Sequence, residues 1–226
     1  MMRLPFLLPL LAMSGCAGSV QLEEVDPFGG AASAVWLHWD DSEFDSIVLT
    51  NVPGACAKWQ AYADTANDLY DAVEDIDEDD YCEDAMEPSL AAARAADALF
   101  HEGAHTLSLA VYEGGSTEPE EDTYEVGGTT RALGGTLIYY ENSPYAAVLA
   151  DWDADDDYED NCGIDQDDLE TETDRWTLSE GELDFGQVTD ERSASAYLEG
   201  DLDDDDGDDA GEIIAKFTAS WCEIEL

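Results

Sequence analysis

The stretch HTLSLAVYE (105–113) decides the fold class of this 226-residue chain. Its polar and apolar residues alternate, which is typical of a strand with one buried face. Similar segments, bounded by Gly, Asp or Pro, precede it and continue to the end of the chain. The pattern predicts a mainly β fold, either an antiparallel sandwich or an open barrel. The other predicted strands are AVWLHWD (34–40), DSIVLTNV (45–52), TYEV (123–126), GTLIYY (135–140), YAAVLADWD (145–153), GELDFGQV (181–188), SASAYLEGDL (193–202) and GEIIAKFTASWC (211–222).

Between the second and third predicted strands, the composition becomes helical. Residues 55–74 are rich in Ala, Leu and Tyr and contain neither Gly nor Pro, which predicts a helix. After a polar link, Glu87-Pro88-Ser89 opens a second Ala-rich helix that is expected to end at Gly103. We therefore expect one acidic, β-rich domain over residues 34–226, with an α-helical hairpin inserted at 55–103.

The first eighteen residues, MMRLPFLLPLLAMSGCAG, have the pattern of a targeting segment. One cation precedes an apolar run that is as long as a signal-peptide core and too short to span a bilayer. The run ends on small residues before Cys16, which resembles the bacterial lipobox. The resemblance implies a signal peptide over 1–15, a lipid on Cys16 and a tether over 16–33. Ala17 implies the outer membrane, so that the domain faces the periplasm or the cell surface.

The charge of the chain restricts its partners. Fifty-seven Asp and Glu side chains oppose seven Lys and Arg, giving a formal net charge of −50. Such a surface repels nucleic acid and anionic headgroups, because both are bound by neutralising their phosphates with Lys and Arg. The composition therefore excludes nucleic acid as a partner. It fits either a well-solvated surface in a salty medium or a surface that binds cations.

Four cysteines remain when Cys16 is set aside. An even number in an exported chain predicts two disulfides, and three pairings are possible. Proximity along the chain favours Cys56–Cys82 and Cys162–Cys222. A zinc site is the alternative, but the sequence contains no closely spaced Cys pair to support it.

Several segments together resemble a family of proteins. The order IVLTNVPGAC (47–56), TYEVGG (123–128), Cys162, GELDFGQV (181–188) and AKFTASWC (215–222) is similar to that of uncharacterised secreted lipoproteins common in myxobacteria. In that family a first Cys, a central Cys and a terminal Cys are interleaved with strands of these patterns. The resemblance implies a β domain on a lipid anchor. The family has no established activity that could be transferred to this chain.

The segment HEGAH (101–105) matches the H-E-x-x-H pattern of zinc hydrolases. On a helix, two His four residues apart share one face and bind zinc, while the Glu acts as general base. However, Gly103 weakens a helix here, and the strand-like alternation starts at His105. A zinc-dependent metallohydrolase with ligands His101 and His105 and catalytic Glu102 is therefore the alternative function and not the leading one.

Alternating aspartates suggest a second kind of metal site. Calcium prefers six to eight oxygen ligands, and alternate residues of a loop can supply them. The segment that starts at Asp201 comes closest to a twelve-residue calcium loop, although its Gly207 is one residue late for the sharp turn. Solvated loops that attract cations diffusely are the competing explanation. The predicted ligands are Asp201, Asp203, Asp205 and Glu212; weaker matches occur at Asp75, Asp77 and Asp79 and at Asp151, Asp153 and Asp155.

The features together predict a non-enzymatic cell-envelope protein, anchored to a membrane through its N-terminal lipid and acting in binding or as a structural surface module. No resident cofactor is expected, with calcium as the alternative, and the sequence does not distinguish a protein partner from a glycan partner. Trp152 and Trp176 lie near acidic segments and could stack on sugars. Packing in the core or at the rim of a β domain explains them more simply.

Overall fold

A computed structural model describes the protein over residues 33–39, 45–74, 81–116, 118–143, 145–146, 149, 173–189 and 193–225. The signal peptide, Cys16, Cys162 and the predicted tether up to residue 32 lie outside these ranges. The described elements, in chain order, are β1 (Ser33–Trp39), β2 (Asp45–Thr50), α1 (Ala55–Glu74), α2 (Tyr81–Leu99), β3 (His105–Glu113), β4 (Thr123–Val126), β5 (Arg131–Tyr140), β6 (Thr173–Thr189), β7 (Ser193–Asp204) and β8 (Asp209–Ile224).

The strands form a single sheet that closes on itself in the order β1-β2-β3-β5-β4-β6-β7-β8. Most neighbours are antiparallel, but β4 runs parallel to β5 and β1 runs parallel to β8. The predicted mainly β fold with a helical insertion is confirmed. Its architecture is a closed barrel rather than a sandwich or an open barrel, because the first and last strands of the domain pair with each other.

The barrel interior is filled with apolar side chains. In β8, Ile213, Ala215, Phe217 and Ala219 are buried, while the residues between them face outward. This alternation is the direct result of the two-residue period of a strand. The same period in the other strands supplies the rest of the interior, including the fully buried Tyr124. An eight-stranded barrel is just wide enough for such side chains to fill it.

The helices form where the composition predicts them, but the bounds of α2 differ at both ends, since it ends at Leu99 before the predicted end at Gly103. The helix α1 spans the predicted residues, and it begins directly after the turn at Gly54, whose φ is +68°. The helix α2 begins at Tyr81, so Pro88 lies inside it rather than at its start. Pro88 has no backbone N–H, and the helix continues through it without that hydrogen bond.

A second apolar cluster joins α1 to the outside of the barrel. Val35 and Leu37 of β1 point away from the interior and pack with Ala55 and Ala63 of α1 and with Ile224 of β8. The face of β1 that would otherwise meet water is therefore covered by a helix. This explains why AVWL in β1 is apolar at consecutive positions, unlike the alternating β8.

Cys56, in the first turn of α1, is joined by a disulfide to Cys222 near the end of β8. The predicted pairings Cys56–Cys82 and Cys162–Cys222 are therefore wrong. Proximity along the chain misleads here because the closing strand brings the C-terminus back to the start of the helical hairpin.

One predicted strand has a different local structure. Among residues 145–153, the described ones are Tyr145 in a turn and Ala146 and Leu149 in helical geometry, and Leu149 N–H donates to the Tyr145 carbonyl at 2.9 Å. The strand prediction at these positions is wrong. Two adjacent alanines in this segment offer little β-branched or aromatic surface for a sheet.

Neither described helix is long and apolar enough to cross a membrane.

We expect the Cys56–Cys222 disulfide to contribute about 2–5 kcal/mol to the free energy of unfolding, because it closes a loop of 166 residues in the unfolded chain. Replacing both residues with Ala should lower the free energy of unfolding by this amount, and urea should then unfold the protein at a lower midpoint concentration. Reduction of the wild type should reproduce most of this loss, and peptide mapping without reductant should recover a Cys56–Cys222 peptide. Recovery of a peptide joining Cys56 to Cys82 would contradict the assignment.

Candidate functional site

The HEGAH segment lies in a turn and not on a helix. The helix α2 ends at Leu99, Glu102 and Gly103 form a turn, and His105 is the first residue of β3. Gly103 has a φ of +79°, which no helical residue adopts. The two imidazoles therefore do not project from one helical face at the four-residue spacing that zinc binding requires.

Each of these histidines makes local contacts instead. His101 Nδ1 lies 2.9 Å from the Glu102 carbonyl, and His105 stacks on Tyr139 at 4.4 Å between ring centres. The alternative zinc site at His101 and His105, with Glu102 as base, therefore lacks the helical geometry on which it depended. Across the residues that the structure describes, no group of three His, Cys, Asp or Glu side chains is placed to hold a metal ion.

The predicted calcium ligands lie on a β-hairpin rather than in a calcium loop. Asp201 and Asp203 belong to β7, and Glu212 belongs to β8. The turn between the strands is closed by Asp204, whose side chain accepts hydrogen bonds from the N–H groups of Asp206 and Asp208 at 3.0 and 2.9 Å. A twelve-residue loop that surrounds an ion is therefore not formed. The weaker aspartate sets at 75–79 and 151–155 lie outside the described residues.

The hairpin nevertheless brings carboxylates together on the outer surface of the barrel. Two cross-strand rows each contain three of them, and the members of a row are register neighbours in adjacent strands. They line a groove of about 680 Å³, which we call the acidic groove. The first row is Glu125–Glu182–Glu199, across β4, β6 and β7, and the second is Glu180–Asp201–Glu212, across β6, β7 and β8.

The backbone shapes this groove. The register of β6 against β7 shifts between Leu178 and Glu180, and Gly181 next to this bulge has a φ of +134°. A Cβ at Gly181 would lie 2.4 Å from the carbonyl oxygen of Glu199, so only glycine fits. The bulge bends the strand, and bulges of this kind re-aim the neighbouring side chains.

The acidic groove is energetically unfavourable for the isolated fold. Glu182 lies directly opposite Glu199, and Asp201 directly opposite Glu212. Like charges in such positions destabilise a sheet by roughly 0.2–1 kcal/mol per pair. The arrangement therefore has a cost that cations in solution, or a positively charged partner, would reduce.

A second depression, of about 340 Å³, lies on the outer face of β6, β7 and β8. It forms beside Tyr197, where Gly186 has no side chain and Ser195 has a short one. It also contains Lys216, one of the two lysines of the chain. The outer face thus changes from strongly acidic to mixed polar along the same three strands.

At one end of the barrel, a buried carboxylate holds two aromatic side chains. Asp45, only 5% exposed, accepts a hydrogen bond from Trp36 Nε1 at 2.9 Å and lies 2.7 Å from His38 Nδ1. The imidazole of His38 stacks on Trp221 with 4.4 Å between ring centres, and Trp221 meets Trp36 edge to face at 4.9 Å. We call Trp36, His38, Asp45 and Trp221 the rim cluster.

Sequence reasoning did not single out the rim cluster. Trp36 and His38 are separated by one residue in β1, so they share a face, and Asp45 begins the next strand of the hairpin. The sequence signal was a charged residue at the start of an apolar strand, where a solvated turn is the usual explanation. Only the pairing of His38 with Asp45 shows that the carboxylate is buried and bonded.

A second polar network ties the loop before β4 to the barrel. Arg131 donates to Glu113 Oε2 at 2.8 Å and also contacts Asp122. The hydrogen bond with Glu113 raises the pKa of Arg131. Burial raises the pKa of Tyr124, whose hydroxyl accepts the backbone N–H of Glu120 at 3.1 Å. The contacts of Arg131 with Asp122 and of Tyr124 with Glu120 hold the loop against the barrel, because each joins a loop residue to a strand.

Aromatic side chains also connect the helices to the barrel. Trp59 of α1 contacts Trp39 and Phe100 edge to face, with ring centres 6.3 and 5.6 Å apart, and Phe100 contacts Tyr140 of β5 at 5.4 Å. Burial raises the pKa of Tyr140 and of Tyr145, so both phenols stay protonated. Trp176 packs against the barrel core as the simpler explanation of this residue predicts, whereas Trp152 lies outside the described residues.

No protein-family model, curated protein or solved structure matches this chain.

We expect Asp45→Ala to lower the free energy of unfolding by about 1–3 kcal/mol, because His38 and Trp36 lose a buried acceptor. Urea unfolding followed by tryptophan fluorescence would measure the change. Asp64→Ala, which removes an exposed carboxylate from α1, is the matched control and should alter the value by less than about 0.5 kcal/mol. Equal effects of the two substitutions would show that the rim cluster does not stabilise the fold.

Proposed function

We propose that this protein is a non-enzymatic binding module of the cell envelope, held on the outer membrane by a lipid on Cys16. We propose further that it recognises positively charged partners through the acidic groove. The observation that carries the second statement is the pair of cross-strand carboxylate rows, because they concentrate charge at one place on a rigid sheet.

The described side chains fill the barrel interior, so a partner cannot bind there. Its centre is occupied by buried side chains such as Tyr124, Leu183 and Phe217. Binding therefore has to use the outer face or the rim. On the outer face β6 presents Glu180 and Glu182, β7 presents Glu199 and Asp201, and Glu212 of β8 lies opposite Asp201. The β7 backbone between these strands is paired on both sides.

Electrostatics defines the chemistry of the partner. With 57 acidic and seven basic side chains, the protein attracts cations and repels anionic surfaces at distances up to the Debye length, about 8–10 Å at physiological ionic strength. Like-charge neighbours within each row gain most when a Lys or Arg of a partner lies between them. A basic protein segment fits these conditions better than a glycan, which carries no compensating charge.

The targeting segment supports the proposed anchor. The apolar run before Cys16 and the small residues beside it have the lipobox pattern, and an N-terminal acyl group binds bilayers through its buried methylenes. The first described strand, β1, begins at Ser33, downstream of Cys16. A lipid on Cys16 modifies none of the carboxylates of the acidic groove, which belong to β4, β6, β7 and β8.

The zinc hydrolase that HEGAH suggests is not favoured as a second function. The motif lies in a turn, so its two histidines lack the helical spacing from which the hypothesis came.

We expect Cys16→Ser to release the protein from the membrane fraction of the cells that produce it. The wild type should pellet with membranes and show the mass of the chain from residue 16 plus its acyl groups. The variant should lack that added mass. A wild-type protein that retains Met1 and carries no acyl group would contradict the proposed anchor. It would not contradict the proposed binding by the acidic groove.

We expect the purified full-length protein to bind a fluorescent Lys-rich peptide at low salt, with an affinity that falls as salt is added. The triple change Glu182→Gln, Glu199→Gln and Glu212→Gln should weaken binding about tenfold, since three exposed charge pairs are lost. Fluorescence anisotropy measures both effects.

The matched control for this experiment removes three exposed carboxylates from α1 by the changes Asp64→Asn, Asp68→Asn and Asp71→Asn. This variant has the same net charge as the groove variant and should bind almost as well as the wild type. Equal losses in the two variants would show that the general charge, and not the groove, attracts the peptide. Absence of binding at low salt would overturn the proposed partner chemistry.

A further inference from the structure

In the rim cluster, a buried carboxylate orients the imidazole of His38. His38 Nδ1 lies 2.7 Å from Asp45 Oδ1, while His101 and His105 have backbone carbonyls as their Nδ1 neighbours. A carboxylate oxygen only accepts, so Nδ1 of His38 donates. In the neutral imidazole, this hydrogen bond places the proton on Nδ1 and leaves the lone pair on Nε2.

The remaining contacts hold the ring in one orientation. Asp45 cannot turn away, because its other oxygen accepts the Trp36 indole N–H at 2.9 Å. The imidazole face lies on Trp221, with 26° between the ring planes. The His38 side chain is 30% exposed while Asp45 is almost fully buried, so the imidazole connects the interior to solvent at the barrel end.

A carboxylate lies beside this imidazole on the neighbouring strand. Glu223 of β8 is the register partner of His38 in the parallel β1–β8 pair, so both side chains leave the sheet on the same face. Glu223 is exposed. Within the described residues of β1, β2 and β8, the only Lys or Arg is Lys216, which points to the outer face and lines the mixed polar depression. The charged groups around His38 on these strands are therefore acidic.

We propose that His38 Nε2 and the Glu223 carboxylate bind a divalent transition-metal ion, with Asp45 as the residue that positions the imidazole. Histidines that ligate metals almost always donate their other N–H to a carboxylate or carbonyl, which is the arrangement of His38 and Asp45. Water completes the coordination, since the protein supplies two ligands. This site is separate from the acidic groove, although both use β8: Glu212 lies near the start of that strand and Glu223 near its end.

The ligand types determine which metal is favoured. Imidazole suits zinc, copper and nickel, whereas sites made only of carboxylate and carbonyl oxygens suit calcium and magnesium. The many surface carboxylates of this chain therefore bind calcium diffusely without competing strongly for an ion held by His38. The order of affinity among first-row divalent ions makes Cu²⁺ the most sensitive probe.

Titration of the tag-free, full-length protein with Cu²⁺, in excess Ca²⁺, tests the site. Bound Cu²⁺ quenches nearby indoles, and the Trp221 ring centre is 4.4 Å from that of His38. We expect saturable quenching at one equivalent and an electron paramagnetic resonance spectrum with one imidazole nitrogen. Ni²⁺ and Zn²⁺ should compete with Cu²⁺.

Four variants separate the site from alternatives. His38→Asn keeps a donor for Asp45 while it removes Nε2, so the fold is retained and the one-equivalent quenching should disappear. Glu223→Gln should weaken binding, and Asp45→Asn should weaken it about 10–100-fold through the loss of the positioning bond. His101→Ala is the matched control and should bind as the wild type does.

Three results would overturn the proposal. The first is unchanged one-equivalent quenching in His38→Asn, with folding checked by circular dichroism. The second is a loss of binding in His101→Ala of the size seen for His38→Asn. The third is binding of Cu²⁺ by Glu223→Gln as tight as that of the wild type.

Discussion

The parallel pairing of β1 with β8 is the constraint on which the rest of the structure depends. These are the first and the last strands of the domain, so the sheet closes only when the two ends of the chain meet. The pairing is reinforced from outside, where the disulfide joins α1 to Cys222 and the second apolar cluster covers β1. Closure removes the two free sheet edges that an open barrel would expose.

The closure also assembles the rim cluster. It places Glu223 and Trp221 beside His38, although nearly two hundred residues of chain separate them. The acidic groove depends on other pairings, those among β4, β6, β7 and β8, which align its carboxylates into rows. Both arrangements depend on register. A slip of one residue in any of these strands would move the carboxylates to the interior and the apolar residues to water.

The protein combines a strongly self-repelling surface with a conventional core. The barrel interior is filled with Leu, Ile, Ala and aromatic side chains, and this burial offsets the repulsion among the outward carboxylates. Asp45 is a carboxylate buried at the end of the barrel, and it is bonded through both oxygens, which offsets the cost of burying its charge.

The amino-acid sequence by itself determined the mainly β class, most strand positions, the helix at 55–74 and the acidic character of the surface. These depend on local period and composition, which are legible without contacts between distant residues. Only the tertiary structure decided the closure of the barrel, the partner of Cys56 and the burial of Asp45. Each of these depends on which distant strands become neighbours, and the energy of that pairing is not contained in any single segment.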